Sequence, residues 1–174
     1  MKLTTLISAE ELARRVAELG TEISTKFEGK RPLLVSILKG GFIFHADLTR
    51  AVTIPHEVDF MGVSSYMGGT ESSGTVRILN DLSQSIKGRH VILIEDIFDT
   101  GLTLGYLRNH LLLRSPASFS ICTLLRKDRT DAADVPLEYV GFDIPDEFVV
   151  GYGLDYDELY RNLPEIAVLE LSGD

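Results

Sequence analysis

The sequence predicts an α/β fold built on a parallel sheet, because apolar runs typical of buried strands alternate with segments of helical periodicity. Three short, nearly continuous apolar runs, at 33–38, 90–94 and 118–125, have the composition of strands buried on both faces. Strands that alternate with helices in this way are the pattern of a parallel sheet covered by helices. The length of 174 residues predicts one domain over 1–174, large enough for a substantial core.

Local sequence signals predict the helices, strands and loops between residues 9 and 114. Ser8 followed by Glu11 forms a capping-box pattern, and the apolar residues after it recur at helical spacing, which predicts a helix over about 9–26. The first apolar run ends at Lys39-Gly40-Gly41. Beyond it we expect a helix over 42–50, strands over 58–63 and 75–79, a loop rich in Gly, Ser and Thr over 64–74, and a helix over about 103–114.

Composition excludes several classes of protein. A mean hydropathy of +0.10 with 6 prolines argues against a disordered chain, and no apolar run approaches the roughly 18–20 residues of a membrane span. The amino end has no long apolar stretch of the kind found in secretory signals. The single cysteine, Cys122, cannot form an internal disulfide, which favours a cytoplasmic location. Surface or packing roles, rather than zinc binding, are expected for His45, His56, His90 and His110.

The net charge of −9 is unevenly distributed. Residues 1–127 carry 15 basic and 13 acidic side chains, whereas residues 128–174 carry 2 basic and 13 acidic ones. The isoelectric point near 4.9 argues against broad, phosphate-driven binding of nucleic acid. It does not argue against a small anionic substrate, because the first 127 residues are slightly positive. We expect most of the later acids to be solvated surface.

The most informative segment runs from Ile94 to Thr103. An apolar run ends there in two adjacent carboxylates, Glu95 and Asp96, and Asp99 leads a Thr-Gly-Leu-Thr turn that opens a helix. Hydroxyl groups, a permissive glycine and free N–H groups at a helix start can bind a phosphate. Carboxylates beside a phosphate suit sugar hydroxyls or Mg²⁺, so the segment indicates a phosphorylated sugar held with Mg²⁺. The alternative is that these acids only cap a helix.

This segment resembles the phosphoribosyl pyrophosphate (PRPP) signature of the type I phosphoribosyltransferases. Further segments resemble the hypoxanthine(-guanine) phosphoribosyltransferases in the same order along the chain: Leu38 to Gly41, Ser64 to Tyr66, Val140 to Tyr156, and Leu159 to Leu163. The matches span about residues 33–169. The resemblance implies the type I phosphoribosyltransferase fold, in which a parallel central sheet flanked by helices carries a small hood formed by terminal segments.

The resemblance also implies roles for the residues of the signature. In the family, the acids that match Glu95 and Asp96 engage the ribose hydroxyls, directly or through Mg²⁺. Asp99 matches the acid beside the purine N7, the proposed general acid/base. Some members have lysine where this chain has Leu102, and we expect that difference to be tolerated because backbone N–H groups bind the phosphate. The 5′-phosphate is bound by the turn that matches Thr100, Gly101, Leu102 and Thr103.

On the pyrophosphate side, Lys39 and Gly40 resemble a loop that contains a non-proline cis peptide bond in the family. Arg161 matches the pyrophosphate-binding arginine, and its planar guanidinium suits phosphate oxygens. Without the resemblance, both cations would be interpreted as solvated surface residues. The loop at 64–74 matches the mobile lid over the transition state, from which we expect two residues to reach the phosphates, Ser65 and Tyr66.

On the purine side, the matching residues are Lys127, Phe148, Val149 and Asp155. The lysine would donate to a 6-oxo group and disfavour the 6-amino group of adenine. The phenylalanine would stack on the purine, and Val149 would present backbone groups to the edge of the base. Asp155 resembles the ligand of a second Mg²⁺ on pyrophosphate. The alternatives without a role in binding are that Phe148 packs in the core and that Asp155 is a solvated acid in a loop.

The predicted function is therefore a cytoplasmic purine-salvage enzyme that transfers phosphoribosyl from PRPP to N9 of hypoxanthine or guanine, with Mg²⁺. The resemblance suggests a homodimer or homotetramer, and no nucleic acid or membrane is expected as a partner. One alternative is an oxopurine enzyme that also accepts xanthine. Two others come from different classes: an RNA-binding regulator of the pyrimidine-operon type, which needs a basic face, and a phosphoacceptor signalling domain, which needs no Thr-Gly-x-Thr turn.

Overall fold

The chain forms two sheets and three helices in the part that a computed structural model describes, residues 2–65 and 76–170. In chain order the elements are β1 (Lys2–Ile7), α1 (Ala9–Lys26), β2 (Leu33–Leu38), α2 (Phe42–Ala51), β3 (Glu57–Ser65), β4 (Val76–Asn80), β5 (His90–Phe98), α3 (Leu102–Leu112), β6 (Ser118–Lys127), β7 (Tyr139–Ile144), β8 (Val149–Val150) and β9 (Ile166–Glu170).

The central sheet has the strand order β4-β3-β2-β5-β6-β7. Every neighbouring pair is parallel except β3 and β4, which are antiparallel. This confirms the predicted parallel α/β sheet. Because the strands run parallel, the ends of β2, β5, β6 and β7 meet at one edge of the sheet, and the polar segments that follow them lie there together.

The sheet is covered by helices on both faces. On one face, Ile92 and Ile94 of β5 belong to a cluster with the apolar residues of α1 and α2, and on the other, Val91 and Leu93 pack with those of α3. The two helices on the first face approach closely, because Gly20 of α1 has no side chain to clash with Ala51. Within the described ranges, no helix combines the length and apolar character needed to cross a membrane.

Several predicted boundaries agree with the structure. α1 spans the predicted residues, and the Ser8 side chain accepts from the Glu11 N–H at 3.2 Å while the Glu11 carboxylate accepts from the Ser8 N–H at 2.9 Å. β2 also has its predicted bounds. α3 ends two residues early, at Leu112, because Ser115 takes a positive φ of 56° directly before Pro116.

Two strands extend further than the sequence predicts. β5 continues past the apolar run to Phe98, so Glu95 and Asp96 lie within the strand rather than after it. β6 runs beside it to Lys127, which is therefore the last residue of a strand and not part of the following turn. The physical reason is that the two strands stay paired up to Phe98 and Arg126, and this ladder holds polar residues in extended conformation.

A second, three-stranded sheet is built from the terminal segments, in the order β1-β9-β8. Its strands pair antiparallel, with Lys2 opposite Glu170 and Val149 opposite Val168. This sheet is the hood that the family resemblance implies. Of the predicted lid at 64–74, residues 66–74 lie outside the described residues, and Tyr66 is among them. The first two residues of the predicted loop, Ser64 and Ser65, instead form the end of β3.

His45 of α2 is a buried packing residue, as the sequence suggests. Its ring packs edge-on against Phe60 at a centroid distance of 5.1 Å, and neither ring nitrogen has a hydrogen-bond partner among the described residues. Burial, and to a lesser degree the charge of His56, lowers the pKa of His45 to about 4. The folded chain therefore holds this imidazole neutral, whereas the unfolded chain protonates it below about pH 6.5.

We expect this histidine to destabilise the fold in acid. Its pKa is lowered by folding, so its contribution to stability is complete above about pH 6.5 and is lost as the pH falls toward 4. The loss at pH 5 is about 2 kcal/mol relative to pH 8. Urea unfolding of wild type and His45→Leu at both pH values measures it, because other titrating groups cancel in the difference. An equal pH 8-to-5 loss in the two proteins would contradict the prediction.

Candidate active site

Two adjacent carboxylates on β5 form one wall of a cavity of about 260 Å³ at the edge of the sheet. Burial, followed by the neighbouring Asp96 carboxylate, raises the pKa of Glu95. The Asp96 carboxylate lies directly against Gly40 in the β2–α2 turn, where a Cβ atom would fall 1.7 Å from its Oδ2 atom. A Cβ atom at this position would have to displace the Asp96 carboxylate, so the turn and β5 enclose the same space. The Leu38–Lys39 peptide bond in this turn is cis, as the resemblance implies.

The turn between β5 and α3 also lines this cavity. Gly101 precedes the helix with a φ of +74°, a left-handed conformation that glycine adopts without cost. Gly101 has no side chain to cap α3, and the Leu102 N–H makes only a long hydrogen bond to Thr100 Oγ1, at 3.5 Å, so the N–H groups at the start of the helix can still bind an anion. Thr100, Gly101 and Thr103 line the cavity, whereas Leu102 is exposed and does not line it. The leucine is therefore compatible with phosphate binding by the backbone.

Asp99 takes part in a network of two carboxylates and two cations. Its Oδ2 atom lies 3.2 Å from Lys127 Nζ, and its Oδ1 atom lies 3.0 Å from Arg129 Nη1. Both cations also lie 3.3 Å from the carboxylate of Asp146. The Lys127 side chain is only 11% exposed, so four alternating charges fix the position of its ammonium group. A further acid, Asp131, pairs with Arg129 at 2.8 Å.

Lys127 and Arg129 also line a larger cavity of about 640 Å³. Phe98 lines this cavity and the smaller one, so the two spaces adjoin at the end of β5. The volume lies in the range of pockets that hold small organic ligands. Lys127 lines this larger cavity, whereas Asp99, whose carboxylate pairs with Lys127, lines the smaller one. A flat heterocycle at the junction of the two cavities can therefore meet both a hydrogen-bond donor and a proton acceptor.

A third cluster of charges contains Lys39, Arg161 and Asp155. Arg161 Nη1 donates to the carbonyl of Gly153 at 2.8 Å, and its Nη2 atom lies 2.9 Å from Asp155 Oδ1. Gly153 in turn lies close to Gly40, since a Cβ atom there would fall 2.3 Å from the Gly40 carbonyl oxygen. The residues of this cluster therefore lie beside the cis-peptide turn and next to the carboxylate cavity.

The remaining predicted residues lie apart from these contacts. Phe148 is 48% exposed and packs edge-on against Tyr156 at 5.7 Å, but it lines neither cavity. Val149 is buried, and it belongs to β8 at the edge of the hood sheet, where strands carry unpaired backbone groups. The strand β3 ends at Ser65 next to the undescribed segment.

The donor set at the first cavity suits Mg²⁺ bound together with a substrate. Among residues 2–65 and 76–170, no group of three or more His, Cys, Asp or Glu side chains is arranged to hold a metal ion alone. Mg²⁺ is usually bound by one or two carboxylates with waters and substrate oxygens, which matches the adjacent pair Glu95 and Asp96. Burial and the neighbouring Asp96 carboxylate disfavour the ionised form of Glu95, and a divalent cation would relieve this cost.

Sequence reasoning misses three charged residues of the site, Arg129, Asp146 and Glu158. Asp146 was expected among the solvated acids of 128–174, yet it pairs with Lys127 and Arg129, and Glu158 pairs with Lys39 and Arg161. Both acids are exposed, as expected for solvated surface, with 46% and 64% of their side chains accessible, but they also pair with cations of the site. One signal could have found Asp146, because it follows β7, and the ends of neighbouring parallel strands meet at the same edge of a sheet.

Comparison with known proteins gives consistent matches. A family model described as a phosphoribosyl transferase domain matches residues 4–157. The hypoxanthine-guanine phosphoribosyltransferase of Mycobacterium avium is 50% identical over 171 residues, covering 95% of this chain and 84% of the relative. A solved hypoxanthine phosphoribosyltransferase from Staphylococcus aureus has a TM-score of 0.92 at 47% identity, covering 96% of this chain and 91% of that one. One from Trypanosoma cruzi, in complex with the product IMP, has a TM-score of 0.89 at 42% identity, covering 95% and 93%.

Proposed function

Because this chain belongs to the phosphoribosyltransferase family and has its type I fold, we propose that it transfers the 5-phosphoribosyl group of PRPP to N9 of hypoxanthine or guanine. The products are IMP or GMP and pyrophosphate. The observation that carries the proposal is the meeting, at one edge of the sheet, of an adjacent carboxylate pair, an uncapped helix start and the Asp99–Lys127 ion pair. The relatives compared above are named as hypoxanthine or hypoxanthine-guanine enzymes, which favours this function over an RNA-binding regulator.

In this proposal, PRPP binds in the smaller cavity. The backbone N–H groups at the start of α3 and the hydroxyls of Thr100 and Thr103 hold the 5′-phosphate. Glu95 and Asp96 accept from the ribose hydroxyls, which are donors suited to carboxylates. Lys39, Gly40 and Arg161 receive the pyrophosphate from the side of the cis-peptide turn.

The purine binds in the larger cavity, next to its junction with the smaller one, which Asp99 lines. Lys127 donates to the 6-oxo group, and the Asp99 carboxylate accepts the proton that the purine gives up as the bond to N9 forms. Phe148 stacks on the ring and Val149 offers backbone groups from the edge of the hood. Both residues must approach the cavity for these roles, because neither lines it in this structure. The lid at 64–74 excludes water from the reacting carbon, and its Ser65 and Tyr66 reach the phosphates.

The residues also fit a requirement for Mg²⁺. Glu95 and Asp96 would hold one ion together with the ribose hydroxyls, and Asp155 would lie near a second. When bound, Mg²⁺ supplies positive charge that stabilises the departing pyrophosphate. Asp155 keeps one carboxylate oxygen on Arg161 and the other on the Glu158 N–H, so it is held at the pyrophosphate side of the site.

We further propose that residues 1–174 act as a single catalytic domain and that the protein works in the cytoplasm as a homodimer or homotetramer. The core is continuous from α1 through the sheet to the hood, since Leu12, Ile92 and Ile166 belong to one apolar cluster. Cys122 is buried in β6, so its thiol is not presented for a disulfide. PRPP and a 6-oxopurine are the expected partners, rather than nucleic acid or membrane.

A nucleobase panel tests this proposal. The purified chain is incubated with PRPP and Mg²⁺, each of hypoxanthine, guanine, xanthine and adenine is offered separately, and the nucleotide is identified by mass spectrometry. We expect IMP and GMP, no AMP, and loss of all activity in excess chelator that added Mg²⁺ restores. XMP as a main product would instead favour the xanthine-accepting alternative. If no base gives a nucleotide, the proposed function is overturned. If the enzyme is fully active in chelator, the metal requirement is overturned.

A further inference from the structure

The two cations assigned above to pyrophosphate are bridged by a single carboxylate, that of Glu158. Lys39 Nζ lies 2.9 Å from Glu158 Oε2, and Arg161 Nη2 lies 3.4 Å from Glu158 Oε1. Each oxygen of the carboxylate thus faces a different cation. We propose that Glu158 is an internal counter-anion, which occupies Lys39 and Arg161 in the free enzyme and competes with the diphosphate of PRPP. This inference rests on the pyrophosphate roles of those two cations in the proposed function.

The backbone around Glu158 is built to present this carboxylate. The Glu158 N–H donates to Asp155 Oδ2 at 2.8 Å, which ties the turn to the acid already held by Arg161. Asp157, Glu158 and Tyr160 all have positive φ values, of 52°, 64° and 74°. Non-glycine residues adopt this left-handed region uncommonly, and an ordinary solvated loop would not need three of them. The turn therefore places Glu158 between the two cations.

Glu158 differs from Asp155 in how easily a ligand can displace it. The Glu158 side chain is 64% exposed, and Lys39 beside it is 67% exposed, whereas Asp155 is 31% exposed. Ion pairs between exposed side chains are weak because water screens them, so they can be exchanged for a ligand at little cost. A diphosphate carries more negative charge than this single carboxylate and replaces it at both cations.

The competition predicts that removing the charge of Glu158 strengthens binding. We expect Glu158→Gln to bind pyrophosphate, in the presence of Mg²⁺, about two- to fivefold more tightly than wild type, the range of an exposed ion pair. The KM for PRPP should fall by a similar factor, while the KM for hypoxanthine should not change. The difference between the two proteins should shrink as salt is raised, because salt screens exposed charges. Isothermal titration with pyrophosphate and steady-state kinetics measure both effects.

Asp157→Asn is the matched control, because it removes one negative charge from the same turn but belongs to neither ion pair. Asparagine also tolerates the left-handed backbone at this position. We expect this variant to bind pyrophosphate like wild type, and thermal unfolding verifies that both variants are folded. The role of Glu158 would be overturned if both variants bound pyrophosphate more tightly by the same factor. It would also be overturned if Glu158→Gln bound pyrophosphate as wild type does or more weakly. If wild type itself does not bind pyrophosphate, the assignment of Lys39 and Arg161 fails, and this inference fails with it.

Discussion

Replacing Asp99 by asparagine is expected to lower kcat with hypoxanthine by roughly 10²–10⁴-fold, the usual contribution of a positioned general base. The substitution keeps the shape of the side chain but removes its capacity to take a proton. We expect the KM for PRPP to change by less than about threefold, because the phosphate-binding turn begins one residue later and uses backbone donors. Steady-state kinetics with varied PRPP and hypoxanthine separates the two effects.

The ion network around Asp99 makes a second explanation testable. Asp99 also holds Lys127 and Arg129 in place, so its loss could act through these cations instead of through the missing base. Asp146→Asn removes the other carboxylate from the same two cations and leaves Asp99 intact. We expect this control to lower kcat less than about tenfold. If both variants lose kcat equally, the Asp99 carboxylate positions cations and does not accept the proton.

The parts of the fold that the sequence predicts correctly are those with strong local signals. The bounds of α1 follow from a capping box and a regular apolar stripe, and those of β2 follow from an apolar run closed by Lys39-Gly40-Gly41. The hood is different, because β1 and β9 are paired although they stand at opposite ends of the chain. No local pattern encodes such a pairing, and strand preference depends strongly on tertiary contacts. Only the family resemblance predicts that the terminal segments form this sheet.

In the site, too, residues that are neighbours in sequence are easier to predict than partners that come from distant loops. Glu95, Asp96 and the turn after Asp99 are neighbours in sequence, so their joint chemistry can be predicted before their positions are known. Their register is less predictable, since the ladder with β6 keeps the two acids inside the strand. Partners contributed by distant loops leave no local signal. For this reason, acidic residues after 127 are predicted as solvated surface, although Asp146 and Glu158 neutralise cations of the site.

This distribution of charge changes the interpretation of the acidic segment at 128–174. Each cation proposed to meet the substrate is paired with at least one acid, and Lys127 contacts two. The paired acids hold the cations in fixed positions, at the cost of competing with anions for them. At the purine side the ligand is neutral, so the pairing of Lys127 carries no such competition. Lys127 can therefore keep its carboxylates while it donates to a base.

Lys127→Met is accordingly expected to lower kcat/KM for hypoxanthine and guanine by roughly 10–100-fold, since a hydrogen bond from a charged donor contributes about 1.5–3 kcal/mol. The same change should lower the preference for hypoxanthine over adenine, because an ammonium group accepts no hydrogen bond and opposes a 6-amino group. Arg129 still faces both Asp99 and Asp146 in this variant, so neither carboxylate is left without a cation. The measurement is kcat/KM for hypoxanthine, guanine and adenine, reported as ratios.

A matched control separates recognition of the base from a general loss of positive charge at the cavity. Arg126 precedes Lys127 on β6 and lines the same cavity, but its guanidinium pairs with Asp143 at 2.5 Å and is 44% exposed. We expect Arg126→Met to change the hypoxanthine-to-adenine ratio by less than about threefold. An unchanged ratio in Lys127→Met, or equal changes in the two variants, would mean that Lys127 does not bind the 6-oxo group. A hydrogen bond to the 6-oxo group discriminates between bases, whereas charge at the cavity wall attracts them alike. The ratio of kcat/KM for hypoxanthine to kcat/KM for adenine therefore tests the role of Lys127, and the absolute rate does not.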